Sequence, residues 1–237
     1  MMNLPFFYIP EYDASQKQIT LDEDTSRHVV QVLRMKKDEQ INLTDGKGNL
    51  LTCSIIDDHK KHCLVNVFDS RLTTRDSRRT TIAISLLKNS NRFEWFLEKA
   101  TEIGVSEIIP LICARTEKEK FRFDRMKGIC VSAMLQSQQC WLPVLHEPVQ
   151  FDDLVLGQFD NAGKFIAHCE EGDKKSLADL QINKSSNHLI IIGPEGDFTD
   201  KEIGLALKNN FIPVSLGETR LRTETAGIVA ATLLSVS

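Results

Sequence analysis

Two segments near the C-terminus restrict the fold more than any other part of the chain. The first, His188–Thr199, reads HLIIIGPEGDFT, and the second, Val214–Ala226, reads VSLGETRLRTETA. Each passes from a short apolar strand through a glycine-containing turn into the start of a helix. Such turns present backbone N–H and C=O groups at the carboxyl end of a strand, where open α/β sheets bind ligands. A single turn of this kind is a common structural connection between a strand and a helix in an α/β fold. Two such turns close together predict an α/β sheet with a small-molecule site built mostly from main chain.

The residues of the two turns support this interpretation. Gly193 and Gly196 permit a close approach of the backbone to a ligand, or a positive φ. Either Asp197 or Thr199 can cap the helix that follows the first turn. The second turn carries a polar run, Arg222–Thr225, which favours a binding site over a purely structural turn.

The first seventy or so residues are predicted to be mainly β. Strand-like stretches lie on both sides of Asp45–Gly48 (DGKG), which is a hairpin signal. The exception is Ser26–Met35, where apolar residues recur at helical spacing after Ser26 as a cap. These features predict a small barrel with one short helix.

The remainder of the chain has a different pattern. Arg71–Thr81 is polar, lacks apolar periodicity and predicts a linker. Beyond it, apolar strands alternate with helices predicted at Asn91–Gly104, Phe123–Cys140, Asp200–Asn209 and Glu224–Ser235. This alternation predicts a mostly parallel sheet covered by helices on both faces.

Composition narrows the function classes. The chain has 237 residues, a formal net charge of −4 and six cysteines. The cysteines show no C-x-x-C pair and no histidine at metal-ligand spacing, so neither a metal site nor disulfides are expected. No apolar run approaches the ~20 residues that span a bilayer, and the N-terminus lacks the regions of a signal peptide. A cytoplasmic protein without a membrane partner is therefore expected.

Two local basic tracts stand out against the acidic total. Arginines are concentrated between Arg71 and Arg79, and basic residues outnumber acidic ones between Arg115 and Lys127. Such tracts can follow the phosphates of a nucleic acid. The alternative is a solvated charged face.

Six motifs together resemble the SPOUT methyltransferases, and specifically the RsmE-type 16S ribosomal RNA uridine N3-methyltransferases. Besides the two turns they are His28–Arg34 (HVVQVLR), Asp45–Asn49 (DGKGN), Arg92–Val105 (RFEWFLEKATEIGV) and Gln136–Pro143 (QSQQCWLP). They occur in that family's order and approximate spacing, so the resemblance covers nearly the whole chain.

The resemblance implies a PUA-like RNA-binding β-barrel domain at residues 1–72 and a SPOUT methyltransferase domain at residues 73–237. It further implies a C-terminal deep trefoil knot that holds S-adenosylmethionine, and a homodimer that uses the C-terminal helix. The implied reaction is methylation of N3 of one uridine in 16S rRNA of the 30S subunit. Two alternatives are a SPOUT enzyme acting on another RNA, such as a tRNA ribose, and a non-catalytic RNA-binding protein. A nucleotide-binding oxidoreductase is excluded because no G-x-G-x-x-G follows an early strand and no P-loop is present.

The same resemblance assigns residues to two sites. The implied cofactor contacts are His168, Ile192, Gly193, Glu195, Gly196, Leu216, Gly217, Leu221, Arg222, Thr223 and Ala226. The implied RNA contacts are His28, Arg34, Arg92, Glu94, Lys99 and Arg115.

Arg222 is the predicted catalytic residue. Methylation at N3 requires the imide proton to leave, and a guanidinium that always carries its charge can stabilise the negative charge on the uracil oxygens. The alternatives are a phosphate contact or a structural arginine paired with Glu224 or Glu195. Glu195 itself is either a proton acceptor or, more in keeping with its place in the turn, a residue that caps backbone donors or shapes the turn. Glu94 and Lys99 belong to a helix face that is also compatible with simple ion pairing.

Overall fold

The chain folds into two units whose sheets differ in strand direction. A computed structural model describes residues 4–75, 79–117, 120–159, 162–170, 172–180 and 187–235. One unit comprises Met1–Arg75 with Met134–Leu142, and the other comprises Asp76–Ala133 with Pro143–Ser237.

The first unit is built on a five-stranded sheet in the order β1-β3-β4-β5-β2. Its strands are β1 Phe6–Tyr8, β2 Gln18–Thr20, β3 Gln40–Thr44, β4 Asn49–Asp57 and β5 Leu64–Leu72. The predicted hairpin is confirmed, since β3 and β4 pair antiparallel on either side of the DGKG turn. Only β1 and β3 run parallel among the described strands of this sheet.

The helical segment of the first unit begins earlier than predicted. Helix α1 spans Glu23–Arg27, and the Asp22 carboxylate caps it by accepting a hydrogen bond from the Thr25 N–H at 2.8 Å. Ser26 is not the cap; its buried hydroxyl donates to the Leu21 carbonyl and accepts from the Cys63 N–H. A π-helix, His28–Val32, continues from α1, so the predicted helix Ser26–Met35 was wrong at both ends.

A distant segment completes the first unit around the DGKG turn. The Leu142 N–H donates to the Gly46 carbonyl, and the Gly48 N–H donates to the Cys140 carbonyl, both at 2.8 Å. A Cβ on Gly48 would lie 2.3 Å from the Trp141 ring, and Gly48 has a φ of 97°. Glycine is therefore required there for both space and backbone conformation.

The second unit contains an eight-stranded sheet in which every pairing is parallel, as predicted. The strand order is β11-β13-β10-β12-β6-β7-β8, and β9 also pairs with β7. The strands are β6 Thr80–Ser85, β7 Glu107–Ile112, β8 Val144–Leu145, β9 Val149–Gln150, β10 Ala162–Ala167, β11 Lys175–Ser176, β12 Asn187–Ile192 and β13 Ile212–Ser215.

Helices follow most of these strands. They are α2 Ser90–Ile103, α3 Phe123–Gln136, α4 Phe151–Leu156, α5 Asp200–Lys208 and α6 Thr223–Ser235. The prediction placed the end of α3 at Cys140, but the helix ends at Gln136, and Gln138 adopts a left-handed φ of 56°. Helix α2 ends as predicted, with Gly104 in the left-handed conformation.

Helix α6 lies against α2 and the central strand β6. Phe93, Phe96 and Leu97 of α2 are buried, and burial of each such side chain contributes roughly 1.5–3 kcal/mol. Gly227 permits the close approach of α6, because a Cβ there would lie 2.7 Å from the Phe96 ring. The start of α6 is thereby fixed relative to α2.

The predicted linker is shorter than Arg71–Thr81. Arg71 and Leu72 belong to β5 and Thr80 begins β6, while residues 76–78, which include Arg78, lie outside the described residues. Lys118 of the second basic tract also lies outside them. Within the described ranges, no helix is long and apolar enough to cross a bilayer.

Candidate cofactor site at the strand ends

The carboxyl ends of three neighbouring strands, β12, β10 and β13, meet at one edge of the parallel sheet. The segments that follow them surround two adjoining cavities of about 350 Å³ and about 380 Å³. The two cavities share the lining residues Ala167, Cys169, Arg220, Leu221 and Ala226. This is the edge at which parallel sheets bind ligands.

The predicted cofactor residues gather around these cavities. The first cavity is lined by Ile192, Gly193, Glu195, Leu221, Arg222, Thr223 and Ala226. The second is lined by His168, Leu216, Gly217, Leu221 and Ala226. Gly196 lines neither cavity, and its carbonyl oxygen accepts a hydrogen bond from Arg115.

The turn after β12, residues 193–199, is referred to below as the first loop. Its left-handed residue is Asp197, with a φ of 64°. Of the two alternatives for Gly193 and Gly196, a positive φ was therefore wrong, and a close approach to a ligand stays a prediction. The Asp197 carboxylate compensates for this conformation by accepting from the Phe198 N–H at 2.9 Å and the Cys169 N–H at 2.7 Å. Gly193 is needed for space, because a Cβ there would lie 2.9 Å from the Phe198 ring.

The end of the first loop is fixed by a capping box. The Thr199 hydroxyl accepts from the Glu202 N–H, and the Glu202 carboxylate accepts from the Thr199 N–H at 2.8 Å. Thr199, rather than Asp197, is therefore the cap of α5. The second Glu202 oxygen accepts from the Ala114 N–H at 2.8 Å, which connects the first loop to the segment after β7.

Arg92 of α2 pairs with the two glutamates that were considered as partners of Arg222. Its Nη1 donates to Glu195 Oε1 at 2.6 Å, and its Nε lies 3.6 Å from Glu224 Oε1. The alternative that Arg222 pairs with these carboxylates was therefore wrong. The interpretation of Glu195 as a cap of backbone donors was also wrong. Among the described residues, its carboxylate accepts a hydrogen bond from Arg92 and none from a backbone N–H.

The turn after β13, residues 216–222, is referred to below as the second loop. Gly217 has a φ of 140°, and a Cβ there would meet nothing within 4 Å. Arg222 is exposed and makes no salt bridge with any described residue. Its guanidinium at the first cavity therefore keeps its donors available for a ligand or substrate.

His168 and Cys169 follow β10 and face the cavities. Burial, with the nearby Lys174 ammonium as the second cause, lowers the pKa of the His168 imidazole. The buried Nδ1 of His168 has no hydrogen-bond partner among the described residues. Burial and the Asp197 carboxylate raise the pKa of the Cys169 thiol. The site thus holds an uncharged imidazole with a free polar atom, which a ligand can use.

Two of the predicted RNA contacts on α2 are engaged in ion pairs. Glu94 accepts two hydrogen bonds from Arg125, at 2.7 and 2.8 Å, which lower the pKa of the Glu94 carboxyl. Lys99 donates to Glu98 at 2.7 Å and to Glu102 at 3.0 Å. The ion-paired alternative for this helix face is confirmed, and contact with RNA stays a prediction.

The other predicted RNA contacts differ in their surroundings. Arg115 donates from Nη1 to the carbonyls of Gly196 and Phe198, at 2.7 and 3.3 Å, and so supports the first loop. In the first unit, His28 is exposed with its ring 5.7 Å from that of Phe7, and Arg34 is exposed with a φ of 57°.

Several residues around the cavities were not identified from the sequence. Ala167 and Cys169 lie at the carboxyl end of β10, where the apolar pattern of the sequence predicted a strand. The rule that ligands bind at the carboxyl ends of parallel strands could therefore have identified them. Asp197 and Arg220 also line the first cavity. For Asp197, no local pattern signals that an aspartate occupies a left-handed position and bonds to a neighbouring strand end.

The fold and the site geometry agree with comparisons to known proteins. Residues 74–235 match the model of an RNA methyltransferase domain, and residues 21–68 match that of an RNA methyltransferase PUA domain. The chain belongs to the RNA methyltransferase family. The resemblance inferred from the six motifs is thereby confirmed.

Individual relatives extend over the whole length of this family member. A probable rRNA methyltransferase from Porphyromonas gingivalis shares 37% identity and a TM-score of 0.91, with 98% of this chain and 99% of the other covered. Ribosomal RNA small subunit methyltransferase E from Neisseria gonorrhoeae, solved with S-adenosyl methionine, shares 28% identity and a TM-score of 0.88, with 99% and 98% covered. The protein of the same name from Rickettsia conorii is 28% identical over 228 residues, 94% of this chain and 91% of the relative.

Proposed function

We propose that the protein transfers a methyl group from S-adenosylmethionine to N3 of one uridine in 16S rRNA of the small ribosomal subunit. The observation that carries this proposal is the strand-end site, where all but one of the predicted cofactor residues line two adjoining cavities. The names of the relatives from Rickettsia conorii and Neisseria gonorrhoeae support the substrate, and the S-adenosyl methionine bound to the latter supports the cofactor.

The residues at the cavities fit S-adenosylmethionine. Each cavity lies within the range of about 300–1,000 Å³ that is typical of small-molecule sites. Ile192, Leu216, Leu221 and Ala226 offer apolar surface for an adenosine and the methylene groups of a methionine chain, and the turns around them offer backbone donors and acceptors. The partnerless Nδ1 of His168 offers a further polar contact.

The chain's own residues would supply alignment and charge. When bound, S-adenosylmethionine supplies an electrophilic methyl group. Arg222 at the first cavity would donate hydrogen bonds to the uracil oxygens and so favour loss of the N3 proton to solvent water. Arg222 is suited to this role because no described carboxylate neutralises it.

The proposal includes the features of the fold that the resemblance implies. The C-terminal part of the sheet domain would form a deep trefoil knot, and two copies would pair through α6. The domain boundary would lie between residues 72 and 73, close to the start of the matched methyltransferase domain at residue 74 and to the division between the compact units at Arg75 and Asp76. Met134–Leu142 joins the first unit although it belongs to the second domain in sequence. Ribosomal RNA as the substrate implies that the protein works in the cytoplasm.

The RNA would contact both domains. His28 and Arg34 are exposed on the first unit and are free to meet phosphates or bases. Arg92, Glu94, Lys99 and Arg115 would lie on the RNA side of the methyltransferase domain. Local basic tracts on an acidic protein would suit one structured target better than random RNA.

The test is methyl transfer from labelled cofactor to 30S subunits that lack the modification, with bulk tRNA as the competing substrate. Nucleoside analysis of the product should show N3-methyluridine in 16S rRNA and no label in tRNA. Label in tRNA alone would favour a different RNA target. Cofactor-independent RNA binding without any transfer would favour a non-catalytic RNA-binding protein.

A further inference from the structure

Arg92 connects two separate walls of the first cavity. It lies in the first turn of α2, and its Nη1 donates to Glu195 Oε1 of the first loop at 2.6 Å. Its Nε lies 3.6 Å from Glu224 Oε1 in the first turn of α6. Since different nitrogens of one rigid guanidinium face the two carboxylates, Arg92 can hold both at once.

The Glu224 carboxylate depends on this arginine. The Glu224 side chain is only 9% exposed, and its Oε2 has no hydrogen-bond partner among the described residues. A buried carboxylate is strongly destabilising unless a cation lies beside it. Arg92 is the cation that the described structure provides within 4 Å. Removing it would leave a buried charge at the start of α6, where Thr223 and Ala226 line the cavity.

Arg92 and Arg222, which both line the first cavity, therefore differ in their electrostatic surroundings. Arg92 is shared between two carboxylates, whereas Arg222 makes no salt bridge with any described residue. A guanidinium engaged with two carboxylates has little net charge left with which to attract a phosphate.

We propose that Arg92 is a positioning residue of the cofactor site, which holds the first loop and the start of α6 at their places around the cavity. The resemblance assigns Arg92 to RNA contact, and this inference replaces that role. It rests on the proposed function in one respect, that the ligand of the cavity is S-adenosylmethionine.

The first experiment measures binding of S-adenosylmethionine and S-adenosylhomocysteine by calorimetry without RNA. Arg92→Met, which keeps the length and removes the charge, should weaken both affinities on the order of tenfold or more. Arg92→Lys should recover part of the loss, since one ammonium cannot reach both carboxylates with the geometry of a guanidinium. Arg125→Met is the matched control. Arg125 of α3 also pairs with a glutamate of α2, Glu94, but it lines neither cavity.

A double-mutant cycle gives a second measurement that does not depend on Arg92→Met being fully stable. Glu195 is part-exposed, so Glu195→Gln should fold. If Arg92 acts through Glu195, the effect of Glu195→Gln on cofactor affinity should be clearly smaller in the Arg92→Lys background, where the pair is weakened, than in the wild type. Fully additive effects would overturn the inference.

RNA binding separates positioning from phosphate contact. Loss of a phosphate contact lowers the slope of log affinity against log salt by about one. Arg92→Met should leave that slope unchanged for 30S subunits. Unchanged cofactor affinity with a lower slope would establish an RNA contact and overturn the inference while the proposed function stands. Absence of cofactor binding by the wild-type protein would instead overturn the proposed function, and the inference with it.

Discussion

The first and second loops both border the first cavity but are held in very different ways. Residues 193–199 are fixed by Arg92, Arg115, the Asp197 carboxylate and the Thr199–Glu202 capping box. For residues 216–222, no backbone N–H and no side chain donates a hydrogen bond to any described residue. In the second loop, the Arg222 carbonyl accepts a hydrogen bond from the Ala226 N–H at 2.8 Å. We therefore expect the first loop to be formed before a ligand arrives and the second to depend more on the ligand for its order.

The difference assigns separate tasks to the two loops. A wall fixed by side-chain hydrogen bonds keeps the cavity in shape and loses little conformational entropy when a ligand binds. A loop that donates no hydrogen bond to the described residues, and whose Arg222 pairs with no described carboxylate, can adapt to both cofactor and RNA. Arg222 lies in this second loop, so the proposed catalytic group is placed where binding can still move it.

The largest expected effect concerns Arg222 itself. Arg222→Ala should lower the methylation rate on the order of a hundredfold, because one charged donor in a dry site contributes roughly 3 kcal/mol. Cofactor affinity should change by less than about threefold, since the first loop stays intact. Single-turnover rates and calorimetry measure the two quantities.

A proportional loss of cofactor binding in Arg222→Ala would contradict this division of tasks. It would make Arg222 a residue that holds the cofactor or the second loop, as Arg92 is proposed to do for the first.

The next-largest expected effect is on the free energy of unfolding and distinguishes two glycines of the first loop. Gly193→Ala should lower the free energy of unfolding by about 1–3 kcal/mol, because the new Cβ would lie 2.9 Å from the buried Phe198 ring. Gly196→Ala is the matched control and should change it by less than about 0.5 kcal/mol, since its Cβ would lie 3.4 Å from Arg115 Cδ. Equal effects in denaturant unfolding would show that the first loop is not packed as described.

The sequence predicted this site at the level of elements. Apolar runs followed by glycine turns are local signals, and parallel strands must bring their carboxyl ends to one edge, so the position of the site followed from the order of elements. The contacts that fix the first loop did not follow from the order of elements. Arg92 and Glu195 are 103 residues apart, and no local pattern pairs them.

Local rules also failed where several polar residues competed for one role. Asp22, Thr25 and Ser26 are all acceptable caps, and the choice of Asp22 depended on Ser26 being buried and bonded to Cys63, which directly precedes β5. The segment around Trp141 belongs to the first unit for a similar reason, because its partner is the distant Gly48.

A smaller effect is expected from a glycine of the second loop. Gly217 has a φ of 140° and open space around it, so Gly217→Ala adds backbone strain of about 1–2 kcal/mol without a clash. Because this loop is free to relax, Tm should hardly change, while cofactor affinity should fall on the order of tenfold. Gly128→Ala, in open space inside α3, is the control for cofactor affinity, which it should leave unchanged. Its Tm should rise slightly, because alanine favours a helix interior over glycine by about 1 kcal/mol. A large fall in Tm for Gly217→Ala would show that the second loop is preformed.

The smallest expected effect is a pH dependence of the free energy of unfolding that arises from His168. Burial lowers its pKa below the ordinary value of 6.5, so the folded state binds fewer protons than the unfolded state below that pH. Stability should therefore be full above pH 6.5 and should fall as the pH drops from 6.5 towards the folded-state pKa. His168→Gln should lose less stability than the wild type between about pH 7 and about pH 5.5 in chemical denaturation. Parallel curves for the two proteins would contradict the burial of this imidazole.

Amide hydrogen exchange, measured with and without S-adenosylmethionine, tests most directly whether a preformed and an adaptable loop together hold the cofactor. Without cofactor, amides of residues 193–199 should exchange slowly and those of residues 216–222 rapidly. Addition of cofactor should slow exchange strongly in residues 216–222 and only slightly in residues 193–199. Rapid exchange in both loops without cofactor, or no change in residues 216–222 on its addition, would contradict the account.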